Sequence, residues 1–391
     1  MKTGLQNTSN IHPLLEKQHI EYREKIRNFA EKEIKPFAQE LDRSGKFSAT
    51  LTKRLGEMGL FGITIPQEYG GSNLDTLSYI IAVEEIARID SSQAATVAAH
   101  NSLGLGPIFK YGTSEQKIRL LPKLTTGDFV WAFGITEPQA GSDISAIQTT
   151  AELSDGSWII NGSKLFITNS ASVSSAGITL LTVTGVKDSR KELSVILTER
   201  DREGYFAEPI LEKMVWRAAD TGRLTFRNCR VPENNLLGEK GKGAHIMLET
   251  IDSGRLSIAA IGLGLAQGAF EMALGYSKSR QQFNQSVGKF QAIAFKLADM
   301  EMKLELARNT LYNVCWQKDA GYDFTKESAV AKLYCSEIAR EIADEAVQIH
   351  GAYGLMKDND IERFYRDQRI LQIGEGTSEI LKILISRHLG L

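Results

Sequence analysis

One glutamate near the C-terminal end of the chain lies between two glycines. The stretch LQIGEGTSEILKILISR, residues 371–387, places Glu375 between Gly374 and Gly376, directly before a segment with the period of an amphipathic helix. Glycines lack side chains, so another molecule can approach the backbone on both sides of the carboxylate. A carboxylate reached in this way is a candidate to accept a proton. On this pattern alone an exposed surface glutamate is the commoner alternative, since charged side chains are mostly exposed.

A second candidate motif is FGITEPQAGSD, residues 133–143. Thr136, Ser142 and Asp143 surround Gly141, and backbone N–H groups in such a loop can approach a flat ligand or a phosphate. An ordinary turn explains the same residues equally well, because Gly, Pro, Ser and Asp are all typical of turns.

Other signatures of chemistry are incomplete. GLGLAQG, residues 262–268, resembles a dinucleotide fingerprint, but its third glycine is one place late and no strand precedes it. GEKGKGA, residues 238–244, lacks the Lys-Ser/Thr pair of a phosphate-binding loop. The six histidines and three cysteines are scattered without metal-ligand spacing. Nicotinamide binding in a Rossmann fold, nucleotide hydrolysis and metal catalysis therefore lose support.

Charge and composition favour a small or neutral partner. The 391 residues include 46 basic and 48 acidic side chains, for a net charge of −2, without a block of like charge. The chain therefore lacks the basic patches that are typical of proteins that bind nucleic acids or anionic membrane surfaces. The apolar run that begins at Leu256 is interrupted by polar residues, so we expect a buried helix and no membrane span. The N-terminus lacks a signal-peptide pattern, and a cytoplasmic location is expected.

The elements that position these motifs form three segments. All eight prolines lie at or before Pro232, so residues 241–391 are expected to form long helices in a four-helix bundle. Residues 1–125 also carry the helical period, whereas residues 126–240 contain short runs rich in Ile, Val, Thr and Phe between turn signals. The expected fold class is α+β, with an N-terminal helical domain, a middle antiparallel sheet or barrel, and a C-terminal helical bundle.

Seven motifs resemble the acyl-CoA dehydrogenase family, flavin enzymes that introduce a double bond beside a thioester. They occur in the family's order, and the resemblance covers essentially the whole chain in the family's sequence of helical domain, β domain and helical bundle. The motifs are FGITEPQAGSD (133–143), LFITNS (165–170), DTGRLTFRNCRVPENNLLG (220–238), SRQQFNQSVGKFQAI (279–293), AVQIHGAYG (346–354), RDQRI (366–370) and GEGTSEI (374–380).

The resemblance assigns a role to the glutamate between the glycines. It implies that Glu375 takes the α-proton of an acyl-CoA, while flavin N5 receives the β-hydride on the opposite face and electrons pass to an electron-transferring flavoprotein. The N–H of Glu375 would donate to the thioester carbonyl beside Gly376, because the developing enolate oxygen needs hydrogen bonds. Burial by the substrate is expected to raise the pKa of the carboxyl group.

The resemblance also implies an FAD site built by two subunits, hence at least a dimer and by family habit a homotetramer. Residues expected against the flavin and its phosphates are Phe133, Ile135, Thr136, Ser142, Phe166 and Thr168. Residues expected to bind FAD from a neighbouring subunit are Arg280, Gln282, Phe283, Gln348 and Gly351. The expected cofactor-binding set is completed by Gln291, Thr377 and Glu379.

The substrate site is expected to use residues from three parts of the chain. Asp252 and Arg255 match positions that line the CoA site, with a structural ion pair as the alternative. Gly374 stands where straight-chain enzymes have a bulky aromatic, which predicts room for a branched or cyclic acyl group. The other expected substrate-binding residues are Thr96, Ala99, Leu103, Ser142 and Gly376.

Two departures from relatives, at Gly254 and at Ala94 and Ala95, narrow the prediction. Gly254 occupies the place where some members carry the base, so Glu375 is the only candidate. Ala94 and Ala95 stand where glutaryl-CoA dehydrogenases are expected to carry the arginine that binds the distal carboxylate. A decarboxylating glutaryl-CoA dehydrogenase is therefore doubtful. His100 is expected to be a helix histidine with satisfied hydrogen bonds. An oxygen-using oxidase or monooxygenase on the same fold, and a flavin-free scaffold, stay as alternatives.

Overall fold

The computed structural model describes residues 12–391 and confirms the order of helices, sheet and helices. In the first segment, α1 (Lys17–Phe29) and α2 (Lys35–Ser44) form one rod joined by π-helical turns at Ala30–Ile34, and α2 ends at Gly45 with φ +64°. The remaining helices here are α3 (Ala49–Glu57), α4 (Thr76–Ala87), α5 (Ser91–Ala98), α6 (Gly106–Tyr111) and α7 (Ser114–Leu124).

The helix α5 changes its winding where the substrate residues were predicted. It begins at the N-cap Asp90, whose carboxylate accepts from Ser92 N at 2.8 Å, and it continues as a π-helix over Ala99–Leu105. The side chain of Asn101 accepts from the N–H groups of residues 62 and 63 at 2.9 and 3.0 Å, which fixes this segment to the preceding loop. π-Helical segments are rare and are often found at functional sites.

The middle segment is an eight-stranded sheet in the order β6-β7-β3-β2-β4-β5-β8, with β1 also paired to β4. Most pairs are antiparallel, as predicted, but β1 and β2 run parallel to β4. The long connection between β1 and β4 contains β2 and β3 and allows this crossover. The strands are β1 (Val130–Gly134), β2 (Thr150–Ser154), β3 (Ser157–Thr168), β4 (Ser175–Lys187), β5 (Arg190–Glu199), β6 (Tyr205–Pro209), β7 (Thr221–Pro232) and β8 (Leu236–Leu237).

The last segment is the predicted bundle of long helices. A short hairpin of β9 (Gln281–Gln282) and β10 (Gln285–Ser286) connects the first two of them. The helices are α8 (Gly243–Ser279), α9 (Gln291–Asp319), α10 (Thr325–His350), α11 (Ile361–Asp367) and α12 (Ser378–His388).

The central helix α8 packs between α4 and α10. Its glycine cluster serves this packing, because a Cβ added at Gly262, Gly264 or Gly268 would lie 2.8, 2.1 or 2.2 Å from a backbone oxygen of α10 or of the end of α4. By length and composition α8 could cross a membrane, but 72% of its most apolar window is buried inside the protein. Such burial is typical of the core helix of a bundle.

The transitions between segments lie close to the predicted boundaries. The last N-terminal helix ends at Leu124 and the first strand begins at Val130, while the last strand of the sheet ends at Leu237 and α8 begins at Gly243. The division into domains 1–125, 126–240 and 241–391 stays a prediction, and residues 1–11 lie outside the described part of the chain.

Candidate active site

The loop that carries Glu375 has a strained backbone. After the 3₁₀ helix Gln368–Gln372, the N–H groups of Ile373 and Gly374 both donate to Ile370 O at 2.9 Å. Glu375 and Gly376 then both adopt left-handed conformations, with φ +54° and +97°. A left-handed non-glycine residue costs of order 1–3 kcal/mol and is found mainly at functional sites. Thr377 ends the loop as the N-cap of α12, its hydroxyl accepting from the helix at 3.3 Å.

The Glu375 carboxylate packs against α8 at a glycine. The residue is half-buried, and its Oε2 is shielded from solvent and accepts no hydrogen bond from residues 12–391. A Cβ added at Gly254 would lie 2.1 Å from this oxygen and 2.9 Å from Leu103 Cδ2. The absence of a side chain at position 254 therefore makes room for the carboxylate, a contact that sequence reasoning missed.

Two buried cations face this carboxylate. Burial raises the pKa of Glu375 to about 7, and Lys332 and then Arg255 oppose that rise. Lys332 is fully buried on α10, and its Nζ donates to Gly376 O at 2.6 Å. Burial also lowers the pKa of Lys332 to about 8, against the attraction of Glu375. Sequence reasoning did not select Lys332; its one local signal is a lysine on the apolar face of α10.

Asp252 and Arg255, predicted to line the CoA site, form an ion pair. Arg255 Nη1 lies 2.5 Å from Asp252 Oδ1, and Thr325 donates to the other carboxylate oxygen at 3.0 Å. Burial raises the pKa of Asp252 and lowers that of Arg255, and each charge opposes the shift of the other. The pair lies on α8 beside Gly254, so its arginine reaches the surroundings of Glu375.

The residues predicted for the acyl pocket separate into two groups. Ala99 and Leu103 are half-buried and share a face of the π-helical segment, and Leu103 borders the space around the Glu375 carboxylate. Thr96 is fully buried instead, with its hydroxyl 3.3 Å from Ser92 O. A Cβ added at Gly374 would meet only Ile370, at 3.6 Å or more, so a small side chain would fit here; room for a branched or cyclic acyl group stays a prediction.

Hydroxyl groups that sequence reasoning missed lie close to this space. Tyr79 Oη and Ser102 Oγ both donate to Ala98 O at 2.8 Å, and Ser257 Oγ, one turn beyond Gly254, lies 3.4 Å from Ser102 Oγ. The charge of Glu375 acts on Tyr79, which places this cluster near the carboxylate.

His100 points away from any open space and is a satisfied core histidine, as predicted. Its Nδ1 accepts from Trp131 N at 3.0 Å, so Nε2 carries the proton and donates to Leu124 O at 2.7 Å. Burial lowers its pKa to about 4, and the ring is neutral at physiological pH.

The end of β1, the loop after it and the end of β3 carry the residues predicted against the flavin, and hydrogen bonds join this loop to β3. Leu165 N donates to Thr136 O at 2.9 Å, and the buried Lys164 Nζ donates to Ile135 O at 3.0 Å, which joins the loop after β1 to the end of β3. Phe133, Thr136 and Thr168 are half-buried, Ser142 is exposed and the Ile135 side chain is buried.

The loop after β1 and the end of β3 have the features of a site for a flat aromatic group. Phe166 is 64% exposed and left-handed at φ +60°, an unusual combination for a large aromatic residue. A Cβ added at Gly141 would meet nothing within 4 Å, so the loop leaves space above its backbone. Asp143 is occupied by its own turn, because its carboxylate accepts from Ser145 N at 2.9 Å. The residues present fit a flavin.

The residues predicted to reach a neighbouring subunit form a second, exposed group. Arg280, Gln282, Gln348 and Gly351 are all exposed, and so is Gln291, which was predicted to bind the cofactor without assignment to a neighbouring subunit. The Arg280 guanidinium lies 5.7 Å from the ring centroid of Tyr353, which joins the β9–β10 hairpin to the end of α10. Phe283 is 86% exposed and left-handed at φ +50°. Glu379 is likewise exposed, in the first turn of α12.

Comparison with known proteins identifies the family. Sequence models of three acyl-CoA dehydrogenase domains match the chain: the N-terminal domain at residues 16–128, the middle domain at 132–229 and the C-terminal domain at 241–390. The chain belongs to the acyl-CoA dehydrogenase family. It is therefore an oxidoreductase that acts on an acyl-CoA, and its family is FAD-dependent.

Curated acyl-CoA dehydrogenases resemble it over nearly their whole length. A probable acyl-CoA dehydrogenase of Bacillus subtilis, YngJ, is 43% identical over 96% of this chain and 98% of its own. A short-chain specific acyl-CoA dehydrogenase of Clostridium acetobutylicum is 40% identical over 93% of this chain and 96% of its own.

Solved structures share the whole fold. Butyryl-CoA dehydrogenase from Megasphaera elsdenii is 37% identical with a TM-score of 0.94, covering 97% of this chain and all of its own. A chain from a study of the electron transferring flavoprotein of Acidaminococcus fermentans is 40% identical with a TM-score of 0.93, and the match covers 97% of this chain and 99% of that chain. A glutaryl-CoA dehydrogenase from Mycobacterium smegmatis in complex with FADH2 is 27% identical with a TM-score of 0.91, and the match covers 96% of this chain and 95% of that chain.

Proposed function

We propose that this acyl-CoA dehydrogenase oxidises a short or branched acyl-CoA to the trans-2-enoyl-CoA, with Glu375 as the base and FAD as the cofactor. The observation that carries the proposal is the Glu375 carboxylate, which lies between two glycines and has a shielded oxygen that receives no hydrogen bond from the described residues 12–391. A carboxylate in this state gains a partner when it takes a proton from a substrate carbon.

The residues of the chain have two roles in the reaction: one removes the α-proton, and the other stabilises the thioester oxygen. Glu375 takes the α-proton, and the N–H of Glu375 donates to the thioester oxygen while negative charge develops there. The C–H bond at the α-carbon breaks and its electron pair forms the double bond as the β-hydrogen leaves as hydride. When bound, FAD supplies the acceptor for that hydride, held by Phe133, Thr136, Ser142, Phe166 and Thr168.

The size of the acyl group follows from the space beside the base. Position 374 has no side chain, and a Cβ there would meet only Ile370, at 3.6 Å or more, which supports a site that takes a branch or a small ring at this end of the acyl chain. The names of the relatives, short-chain specific and butyryl-CoA dehydrogenase, support a short chain. We therefore expect short-chain thioesters, straight or branched, to be the preferred substrates.

The acceptor, the assembly and the location belong to the same proposal. The similar chain from the flavoprotein study supports electron transfer to an electron-transferring flavoprotein. The exposed group at Arg280 and Phe283 supports a homotetramer in which FAD is shared between subunits, and a cytoplasmic location stays a prediction.

The test is an absorption spectrum of the purified protein during anaerobic titration with straight, branched and cyclic acyl-CoA thioesters. We expect a flavin band that one class of thioester bleaches and that a subsequent acceptor flavoprotein restores. A colourless protein that also fails to take up added FAD contradicts the proposal. Rapid turnover with oxygen as the sole acceptor replaces it with the oxidase alternative.

A further inference from the structure

One face of α10 holds the catalytic loop at several points. Ser336 Oγ donates to Leu371 O at 3.0 Å. The Glu337 carboxylate accepts from Gln372 Nε2 at 2.8 Å and from Ser378 Oγ at 2.9 Å. These contacts lie on both sides of the loop, so a single helical turn fixes the chain where it enters and where it leaves.

Lys332, one turn earlier on α10, adds a charged contact in the middle of the loop. Its Nζ donates to Gly376 O at 2.6 Å, one residue after Glu375, and the side chain is fully buried. Desolvation of an ammonium group is costly unless a nearby charge or hydrogen bond offsets it. Here the Gly376 carbonyl and the Glu375 carboxylate both do so.

We propose that Lys332 is a positioning residue for the proton transfer: it holds the left-handed backbone at Glu375 and Gly376, and its charge keeps the Glu375 carboxylate in the ionised, basic form. This inference rests on the proposed function. The hydrogen bond acts on the backbone of the strained residues, whereas the charge acts on the carboxylate through space, so the two effects can be separated by substitution.

The other groups near Glu375 leave Lys332 as its principal cation. Lys332 opposes the raised pKa of Glu375 more strongly than Arg255 does. Arg255 is paired with Asp252 at 2.5 Å, and burial raises the pKa of Tyr79 so that its hydroxyl stays neutral. The titratable groups facing the loop are Arg255 and Asp252 from α8, Tyr79 from α4, and Lys332 and Glu337 from α10.

The test compares wild-type holoenzyme with Lys332→Met and Lys332→Gln in the pH dependence of anaerobic flavin reduction by the best thioester. Wild type should lose activity as the pH falls and Glu375 is protonated. Without the cation the pKa of Glu375 rises, so this acidic limb should move up by about one pH unit or more in both variants. Lys332→Gln keeps a hydrogen-bond donor and should retain more of the high-pH rate than Lys332→Met.

Ser336→Ala is the matched control, because it removes a neutral contact from the same helix to the same loop. Its acidic limb should coincide with that of wild type. An unmoved limb in the Lys332 variants, or an equal shift in Ser336→Ala, overturns the inference. If neither Lys332 variant yields folded holoenzyme by circular dichroism and flavin content, Lys332 is purely structural and the inference is likewise overturned. A wild type that no thioester reduces contradicts the proposed function itself.

Discussion

Two glutamates in this chain are withdrawn from solvent with opposite consequences. Glu84 on α4 is 2% exposed, and Arg308 donates to it from Nε and Nη2 at 3.2 and 3.1 Å, while Tyr312 donates at 2.5 Å. Despite burial, Arg23 and Arg308 hold the pKa of Glu84 below its ordinary value. Glu375 has a shielded oxygen to which no residue in the described part of the chain donates, and burial raises its pKa to about 7.

The hydrogen-bond donors around the two carboxylates differ. Glu84 is saturated by donors that belong to α9 and α1, so its charge joins the first segment to the bundle and is unavailable for reaction. Glu375 faces a lysine that bonds to the backbone and an arginine that bonds to Asp252, so its carboxylate keeps its capacity to accept a proton. A buried carboxylate is structural when saturated and reactive when left without donors.

The largest effect expected from this comparison is on turnover of Glu375→Gln. The amide cannot accept the α-proton, so the rate of flavin reduction should fall by roughly 10²–10⁴-fold, the usual contribution of a general base. Stopped-flow anaerobic reduction measures this, with thioester affinity determined separately. A loss of affinity with an unchanged limiting rate would assign the residue to binding.

Glu84→Gln should do the reverse. It leaves two buried arginines undercompensated and should lower the free energy of unfolding by about 3–5 kcal/mol, with little change in the reduction rate per bound flavin. Because the folded-state pKa of Glu84 is depressed, its contribution is present above the ordinary value of 4.5 and is lost as the pH falls below it. Chemical denaturation at pH 7 and pH 4 checks both points; equal stability of variant and wild type at pH 7 would break the comparison.

Gly254→Ala tests whether the position of the unsaturated carboxylate matters. The added Cβ would lie 2.1 Å from Glu375 Oε2, so the carboxylate must move, and we expect a rate loss of about 10²-fold from misplacement. Gly275→Ala on the same helix is the control, since a Cβ there meets nothing within 4 Å. Equal rates in the two variants would show that the carboxylate relocates without cost.

The smallest expected effect is on the stability of Glu375→Gln. The pKa of Glu375 is raised from 4.5 to about 7 in the folded protein, so between these pH values the folded protein holds the proton more tightly than the unfolded chain does. At higher pH the ionised carboxylate therefore destabilises the fold. The variant should be more stable than wild type at pH 8 by about 1–2 kcal/mol and nearly equal at pH 5. Thermal unfolding at both pH values measures the difference, and a variant less stable at pH 8 contradicts it.

The sequence predicted the elements that have a long, regular pattern. The bundle helices carry the helical period without proline, and β3, β4, β5 and β7 are long enough to show as runs of β-branched residues. The strands β1, β2 and β6 have five residues each and were missed, since so short a run resembles a loop. Thr96 would share a helical face with Leu103, seven residues later, on a 3.6-residue period, but the π-helical winding of Ala99–Leu105 changes that spacing.

The sequence predicts Glu375 from a local motif, but it does not predict which residues surround the Glu375 carboxylate. Lys332 and Gly254 are remote from it in sequence, and only the packing of α8 against α10 brings them to the same carboxylate. Neither has a motif of its own, because a lysine in a helix and a glycine in a helix are both common.

The most direct test of the central claim is exchange of the substrate α-hydrogen with solvent deuterium. A suitable probe is 3-thiabutanoyl-CoA, which has α-hydrogens and a sulfur atom in place of the β-carbon, so that proton removal is separated from hydride transfer. Incubated anaerobically with holoenzyme and analysed by mass spectrometry, it should gain deuterium with wild type and with Glu84→Gln, but not with Glu375→Gln. Continued exchange in Glu375→Gln at the wild-type rate would show that another group takes the proton.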